Sequence, residues 1–202
     1  MHAASGFTEE QEAFRQAARD FARAELAPHA AHWDAEGIFP REVIGKAGEL
    51  GFCGIYTAED AGGIGLTRLD AALIFEELAA ADPSTAAYIT IHNMATWMLS
   101  RWGGERLRGE WAAAMASGEK LGSYCLTEPG SGSDAASLKT RAVRDGDHYV
   151  IDGSKAFISG AGATDMLIVM ARTGGEGARG ISAFVVDANT PGLDTSERLD
   201  VI

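Results

Sequence analysis

The hydrophobic period of this chain changes once, near Leu121, and that change restricts the fold more than any other feature. Before it, apolar residues recur every three or four positions between helix start and stop signals. After it, they fall in short runs separated by turn residues. Such a pattern places a helical unit ahead of a β unit, instead of alternating the two as a doubly wound sheet does. The expected fold class is α+β: an all-α N-terminal domain over residues 1–120, then an antiparallel, β-barrel-like domain over residues 121–202.

Within the first part, Thr8 with Gln11 reads as a capping box, followed by Phe14, Ala18 and Phe21 at helical spacing. Pro28 kinks or ends that helix. Pro40 suits the first turn of a second helix, which Gly51 stops. Residues 59–66 form a glycine-rich loop, after which Thr67 caps a helix carrying Leu69, Leu73 and Leu78. Asp82-Pro83 starts the next, which runs to Trp102 and breaks at Gly103-Gly104. A last helix carries Leu107, Trp111 and Met115 and stops at Ser117-Gly118. Trp33, Trp97, Trp102 and Trp111 are expected to be helix-packing residues. His92-Asn93 reads as a structural pair, and Glu76-Glu77 as an exposed helix face.

In the second part, Tyr149 to Ile151, Met166 to Ala171 and Ile181 to Val186 are β-rich, and Leu138 to Arg144 alternates loosely. Asp145-Gly146 signals a hairpin and Pro191-Gly192 a turn. A further strand is expected beyond that turn, and the apolar ending Asp200-Val201-Ile202 reads as an unfinished β unit. Lys139, Arg141 and Arg144 are expected to be a solvated basic face.

Composition narrows the functional classes. With 29 acidic against 17 basic residues the net charge is −12, which argues against a nucleic-acid surface. It does not exclude an anionic small molecule, because a local pocket can differ from the total. The 2 cysteines, Cys53 and Cys125, sit in apolar contexts and fit reduced thiols. His2, His29, His32, His92 and His148 are scattered, and no spacing suits a metal site. No apolar run is long enough to span a bilayer, and Met1 to Gly6 has neither a signal-peptide core nor an Arg-rich presequence. A cytoplasmic location away from membranes is expected.

Two segments carry the chemistry. The first, residues 124–137, begins as the apolar strand Tyr124-Cys125-Leu126-Thr127, breaks at Glu128-Pro129, and opens into Gly130-Ser131-Gly132-Ser133-Asp134. Backbone N–H groups in such a turn hold a phosphate without a cation. Gly130 and Gly132 are expected to adopt angles that other residues resist. Glu128 and Asp134 would repel a phosphate, so their carboxylates should point away and take neighbouring N–H groups. The second segment, Lys155-Ala156-Phe157-Ile158-Ser159, reads as a strand that puts Phe157 and Ser159 on one face. Cys125 is expected to be a packing residue and Lys155 to be solvated. Each segment alone is compatible with a plain turn or a plain β core.

Taken together and at this spacing, the two segments resemble the flavin-binding middle domain of the acyl-CoA dehydrogenases. The resemblance runs from about Thr8 onward and covers about half of a family member. It implies that family's fold without its C-terminal helical domain, FAD as cofactor, and oxidation of a short, branched acyl-CoA substrate. It further implies electron-transferring flavoprotein as partner and a homo-oligomer, tetrameric in most members. By the same resemblance, Tyr124, Cys125, Leu126 and Thr127 run along the flavin ring. Glu128, Pro129, Gly130, Ser131, Gly132 and Ser133 reach its diphosphate, with Ser133 also meeting the acyl-CoA. Phe157, Ile158 and Ser159 lie beside the ring near N5. The implied reaction is α,β-dehydrogenation: a glutamate takes the α-proton while the β-hydride passes to the flavin. The family places that glutamate in the absent domain, so no catalytic residue is assigned here, and the isolated chain is expected to be inactive. The alternatives are an acyl-CoA oxidase of the same fold, or a truncated, non-catalytic scaffold.

Overall fold

A computed structural model of the chain describes residues 6–197 and separates it into two compact units that divide between Lys120 and Leu121. The N-terminal reading of Met1 to Ser5 and the ending at Val201-Ile202 lie outside the described residues.

The first unit is helical. α1 (Glu9–Phe21) starts at Thr8, whose side chain accepts from the Gln11 amide while Gln11 bonds back, the reciprocal box expected from the sequence. A wider π-helical turn, Ala22–Leu26, carries the chain to Pro28. α2 (Ala30–Glu36) and α3 (Arg41–Glu49) follow. α4 (Arg68–Ala79) is capped by a second box, Thr67 with Asp70. α5 (Pro83–Trp102) begins at Asp82, whose carboxylate accepts from the Ser84 and Thr85 amides, with Pro83 in the first turn. α6 (Glu105–Leu107) and α7 (Ala113–Ala116) are joined by a π-helical turn, Arg108–Ala112. Phe52, Leu26, Ile44, Ile55, Ile74, Leu78, Ile89 and Met115 fill the core. Gly48 lies so close to the Ser117 carbonyl that a Cβ there would collide with backbone, so α3 can approach the end of α7 only as glycine.

Glu76 and Glu77 do not form one exposed face. Glu76 is exposed, but Glu77 is nearly buried and accepts from Arg15 at 3.0 Å and from Arg19 at 2.6 and 2.8 Å, tying α4 to α1. The sequence supplies no local sign of this, because the partners lie about sixty positions away. His92 and Asn93 are fully buried, where a capped or solvated pair was expected, and both hold main chain: His92 Nε2 bonds the Met115 carbonyl at 2.8 Å. Asn93 donates to the carbonyls of Phe52 (2.7 Å) and Ile89 (2.9 Å) and accepts from the Ile55 amide (2.8 Å). Trp111 is buried, whereas Trp102 is mostly exposed with its ring edge on Trp97.

The second unit is built on a five-stranded sheet: β1 (Gly122–Cys125), β2 (Arg141–Asp145), β3 (His148–Asp152), β4 (Met166–Arg172) and β5 (Ile181–Asp187). It is mixed, which corrects the antiparallel barrel expected from the sequence. β2 pairs antiparallel with β3 and β4 with β5, but β1 and β2 both pair parallel to β4. Because β5 occupies one edge of β4 throughout, β1 and β2 share the other, β1 at Met166 to Val169 and β2 at Arg172. Turn signals reveal hairpins only. A parallel pair needs a long crossover, here the residues between Cys125 and Met166, and no local signal names its partner. Cys125, Leu167 and Val169 form an apolar cluster on which Ile151, Ile158, Val186 and Leu193 pack. Pro191-Gly192 makes the expected turn, with Leu193 N bonded to the Thr190 carbonyl at 3.1 Å and Gly192 at φ 85°. Residues 193–197 form no strand, and the rest of the strand expected there lies outside the described residues.

Candidate functional site

The site is built where β1 runs out. Ser123 Oγ donates to the Ser159 carbonyl at 2.7 Å and lies 3.0 Å from Thr164 Oγ1. Ala156 N donates to the Thr127 carbonyl at 2.9 Å. Lys155 Nζ donates to the Leu126 carbonyl at 3.0 Å and to the Glu128 carboxylate at 2.8 Å. These contacts step in opposite directions along the two segments, so residues 155–159 lie antiparallel beside residues 123–128. The two segments singled out in the sequence are neighbours.

The second segment is not the regular strand expected. Residues 153–159 are irregular, and Phe157 stands at φ 57°, the only described non-glycine residue with a positive φ. That left-handed residue breaks the alternation on which the shared face of Phe157 and Ser159 was argued. The outcome resembles the expectation by another route: Phe157 is 70% exposed, Ser159 is exposed, and Ile158 turns inward onto the Cys125 cluster. A bulky aromatic held outward in a disfavoured backbone region is a pointer to function.

Lys155 is not solvated. Its side chain is 11% exposed and ion-paired with Glu128, itself 7% exposed. Glu128 also accepts from the amides of Lys139 (2.6 Å) and Thr140 (2.9 Å), so one carboxylate joins three stretches of chain. Burial pushes its acid up, but the bonds from Lys155, Thr140 and Lys139 outweigh that and hold it at about 2. Cys125 is an inert packing residue, its thiol pushed up to about 12 by burial.

Beyond Glu128 the loop folds into a tight turn in which Glu128 N bonds the Ser131 carbonyl (3.0 Å) and Ser131 N bonds the Glu128 carbonyl (3.1 Å). Ser131 Oγ donates to the Asp134 carbonyl at 2.6 Å, and Ser137 Oγ donates to the Asp134 carboxylate. Both carboxylates are thus committed to neighbours, as electrostatics required of a loop offered to an anion. Gly130 and Gly132 correct a second expectation. Neither has a positive φ, and a Cβ at either would meet nothing in the chain. Among the described residues, the N–H groups of Gly132 and Ser133 have no acceptor. The hydroxyls of Thr127, Ser133 and Ser159 likewise have no partner there. A groove of about 370 Å³ lies beside this turn, lined by Pro129, Gly130, Lys139, Arg141, Asp152 and Ser154.

Two cations escaped the sequence reading. One is Lys155. The other is Arg172, at the end of β4, whose guanidinium makes five hydrogen bonds to four carbonyls: Ala136 at 2.8 Å, Leu138 at 3.0 and 3.2 Å, Gly175 at 2.6 Å and Gly177 at 3.1 Å. It pins the far end of the glycine–serine loop. The only sequence signal was a cation closing an otherwise apolar run, and that does not name its acceptors. Lys139, Arg141 and Arg144 are exposed, as expected.

This geometry suits a flat ring along the exposed side of Thr127, Phe157 and Ser159, with an anion over the unbonded amides of Gly132 and Ser133. Residues 8–119 match the acyl-CoA dehydrogenase N-terminal domain and residues 123–202 the middle domain of the same family. Isobutyryl-CoA dehydrogenase of Bos taurus is 53% identical over 193 residues, 96% of this chain and 46% of that protein. The solved structure of a probable acyl-CoA dehydrogenase from Mycobacterium abscessus superposes with a TM-score of 0.90 at 39% identity, over 96% of this chain and 52% of the other. PigA, solved with FAD and proline, superposes with a TM-score of 0.88 at 28% identity, over 95% and 51%. The chain thus spans about half the length of the relatives it matches. Both of its units are matched in chain order, and the chain belongs to the acyl-CoA dehydrogenase family.

Proposed function

We propose that this chain carries the flavin-binding half of an FAD-dependent acyl-CoA dehydrogenase acting on a short, branched acyl-CoA. The observation that supports this reading best is the bonding of residues 155–159 alongside residues 123–128, with Phe157, Thr127 and Ser159 left free on the outer side. Bound FAD would supply the hydride acceptor for α,β-dehydrogenation.

The protein's own residues bind and orient. The Thr127 and Ser159 hydroxyls would hydrogen-bond the ring, with Tyr124, Cys125 and Leu126 along it. Phe157 would cover it, with Ile158 anchoring that segment to the sheet. The Glu128-Pro129-Gly130-Ser131 turn presents the Gly132 and Ser133 amides to the diphosphate, and Ser133 Oγ reaches the acyl-CoA. The open space beside Gly130 and Gly132 lets a ligand approach main chain closely. Neither carboxylate of the glycine–serine loop is free to remove a proton: Glu128 is ion-paired, and Asp134 holds Ser137. Short branched substrates are inferred from the isobutyryl-CoA dehydrogenase relative. Electron-transferring flavoprotein as acceptor, and a homo-oligomer, follow from the family resemblance.

The test is flavin binding. The purified chain, titrated with FAD and followed by flavin fluorescence and visible absorbance, is expected to bind stoichiometrically. Substituting Thr127→Val with Ser159→Ala is expected to weaken binding about tenfold or more. A chain that stays colourless in excess FAD overturns the proposal.

A further inference from the structure

Everything offered to the ring on the second segment depends on where that segment lies, and it belongs to no strand. Its main chain is tied down at few points. The Ala156 amide bonds Thr127 and the Ser159 carbonyl takes Ser123, and between those ties stands the left-handed Phe157. At the entry to the segment, Lys155 reaches inward through a nearly buried side chain. Its ammonium bridges the Leu126 carbonyl and a Glu128 carboxylate that is itself fixed by the amides of Lys139 and Thr140.

We infer that Glu128 and Lys155 are positioning residues for the cofactor face. The buried pair locks residues 155–159 onto the end of β1, and so sets the distance between Phe157 and Thr127. Neither side chain touches the flavin in this reading. Glu128, placed in the diphosphate turn by its sequence position, has its carboxylate taken up by Lys155 and by the amides of Lys139 and Thr140. The inference rests on the flavin reading above for its functional consequence, but the lock itself exists without the cofactor. The pair suits this task because an ammonium and a carboxylate removed from water hold each other in one geometry, and breaking one partner leaves the other uncompensated. An error of an ångström at a cofactor edge is enough to lower its affinity.

The test uses the chain with Lys155→Met, with Lys155→Arg, and with the double change Glu128→Gln/Lys155→Met, which removes the tie without leaving a buried charge. Amide hydrogen exchange without flavin is the first readout. Lys155→Met and the double variant are expected to speed exchange at Ala156 by about tenfold or more, while β4 and β5 keep their protection. Lys155→Arg is expected to return it to within about threefold. In the second readout, Lys155→Met and the double variant lose about tenfold in FAD affinity and shift the visible flavin band, and Lys155→Arg recovers both. Unchanged exchange at Ala156 in the double variant overturns the lock. Faster exchange with unaltered flavin affinity and spectrum overturns its role at the cofactor. If the parent chain takes up no FAD, the reading of the function fails, and the exchange data still decide whether the lock exists.

Discussion

Ser123 and Ser159 are thirty-six positions apart in sequence, yet the hydroxyl of one donates to the carbonyl of the other at 2.7 Å. With Ala156 on Thr127 and Lys155 on Leu126, that bond makes one surface from two segments that share no strand ladder. The reading of function follows from this pairing, and the consequences are testable residue by residue.

Asn93 satisfies three buried main-chain groups, two carbonyls and one amide. Asn93→Ala leaves the Phe52 carbonyl and the Ile55 amide without that partner, while the Ile89 carbonyl keeps its helical bond, and is expected to lower stability by about 3 kcal/mol in a urea melt. FAD affinity, measured well below the midpoint of unfolding, stays within about twofold of the parent. A large loss of affinity with intact stability would move Asn93 from the core to the ligand.

Glu128 has its folded-state pKa lowered from the ordinary 4.5 to about 2. A depressed carboxylate stabilises the fold above its unfolded value and loses that contribution as pH falls through the folded one. Parent stability is therefore expected to fall between about pH 5 and pH 2, by up to about 3 kcal/mol from this group. Glu128→Gln is less stable than the parent at pH 7, and the gap narrows on acidification. Urea midpoints measured across that range check both statements.

Phe157 spends conformational energy in a region glycine occupies freely, and its ring has little burial to lose. Phe157→Gly is expected to change stability by less than about 1 kcal/mol in thermal melts. Flavin binding weakens by about tenfold in the same variant, because the ring edge loses its cover and the segment its stiffness. Equal losses in both would mean that Phe157 serves only the fold.

The chain by itself is expected to take up flavin without turning over acyl-CoA. Both carboxylates of the glycine–serine loop are engaged, one by Lys155 and one by Ser137. Anaerobic mixing with a short branched acyl-CoA leaves the flavin absorbance unbleached; bleaching would show that a base is present among these residues.

The helical unit was largely legible. Thr8, Thr67 and Asp82 cap where their side chains and the following residues require, since capping is a local bond between near neighbours. The β unit was legible as strands and hairpins but not as a sheet. The parallel registers of β1 and β2 on β4 depend on partners that no local pattern identifies. The same limit hid Glu77 under Arg15 and Arg19, and Lys155 against Glu128: a charged residue reads as solvated until the distant opposite charge is placed beside it. Phe157 failed for a different reason. A β-prone sequence was overruled at one backbone position, and such departures gather where function competes with local preference.

Arg172 has a consequence for the molecule's field. Its guanidinium is saturated by carbonyl oxygens, with no carboxylate partner among the described residues, in a chain whose formal charge is −12. Dipoles orient a cation without cancelling it, so a full positive charge persists behind the glycine–serine turn. A diphosphate brought to this loop is therefore expected to meet an attraction that no residue of the turn itself provides.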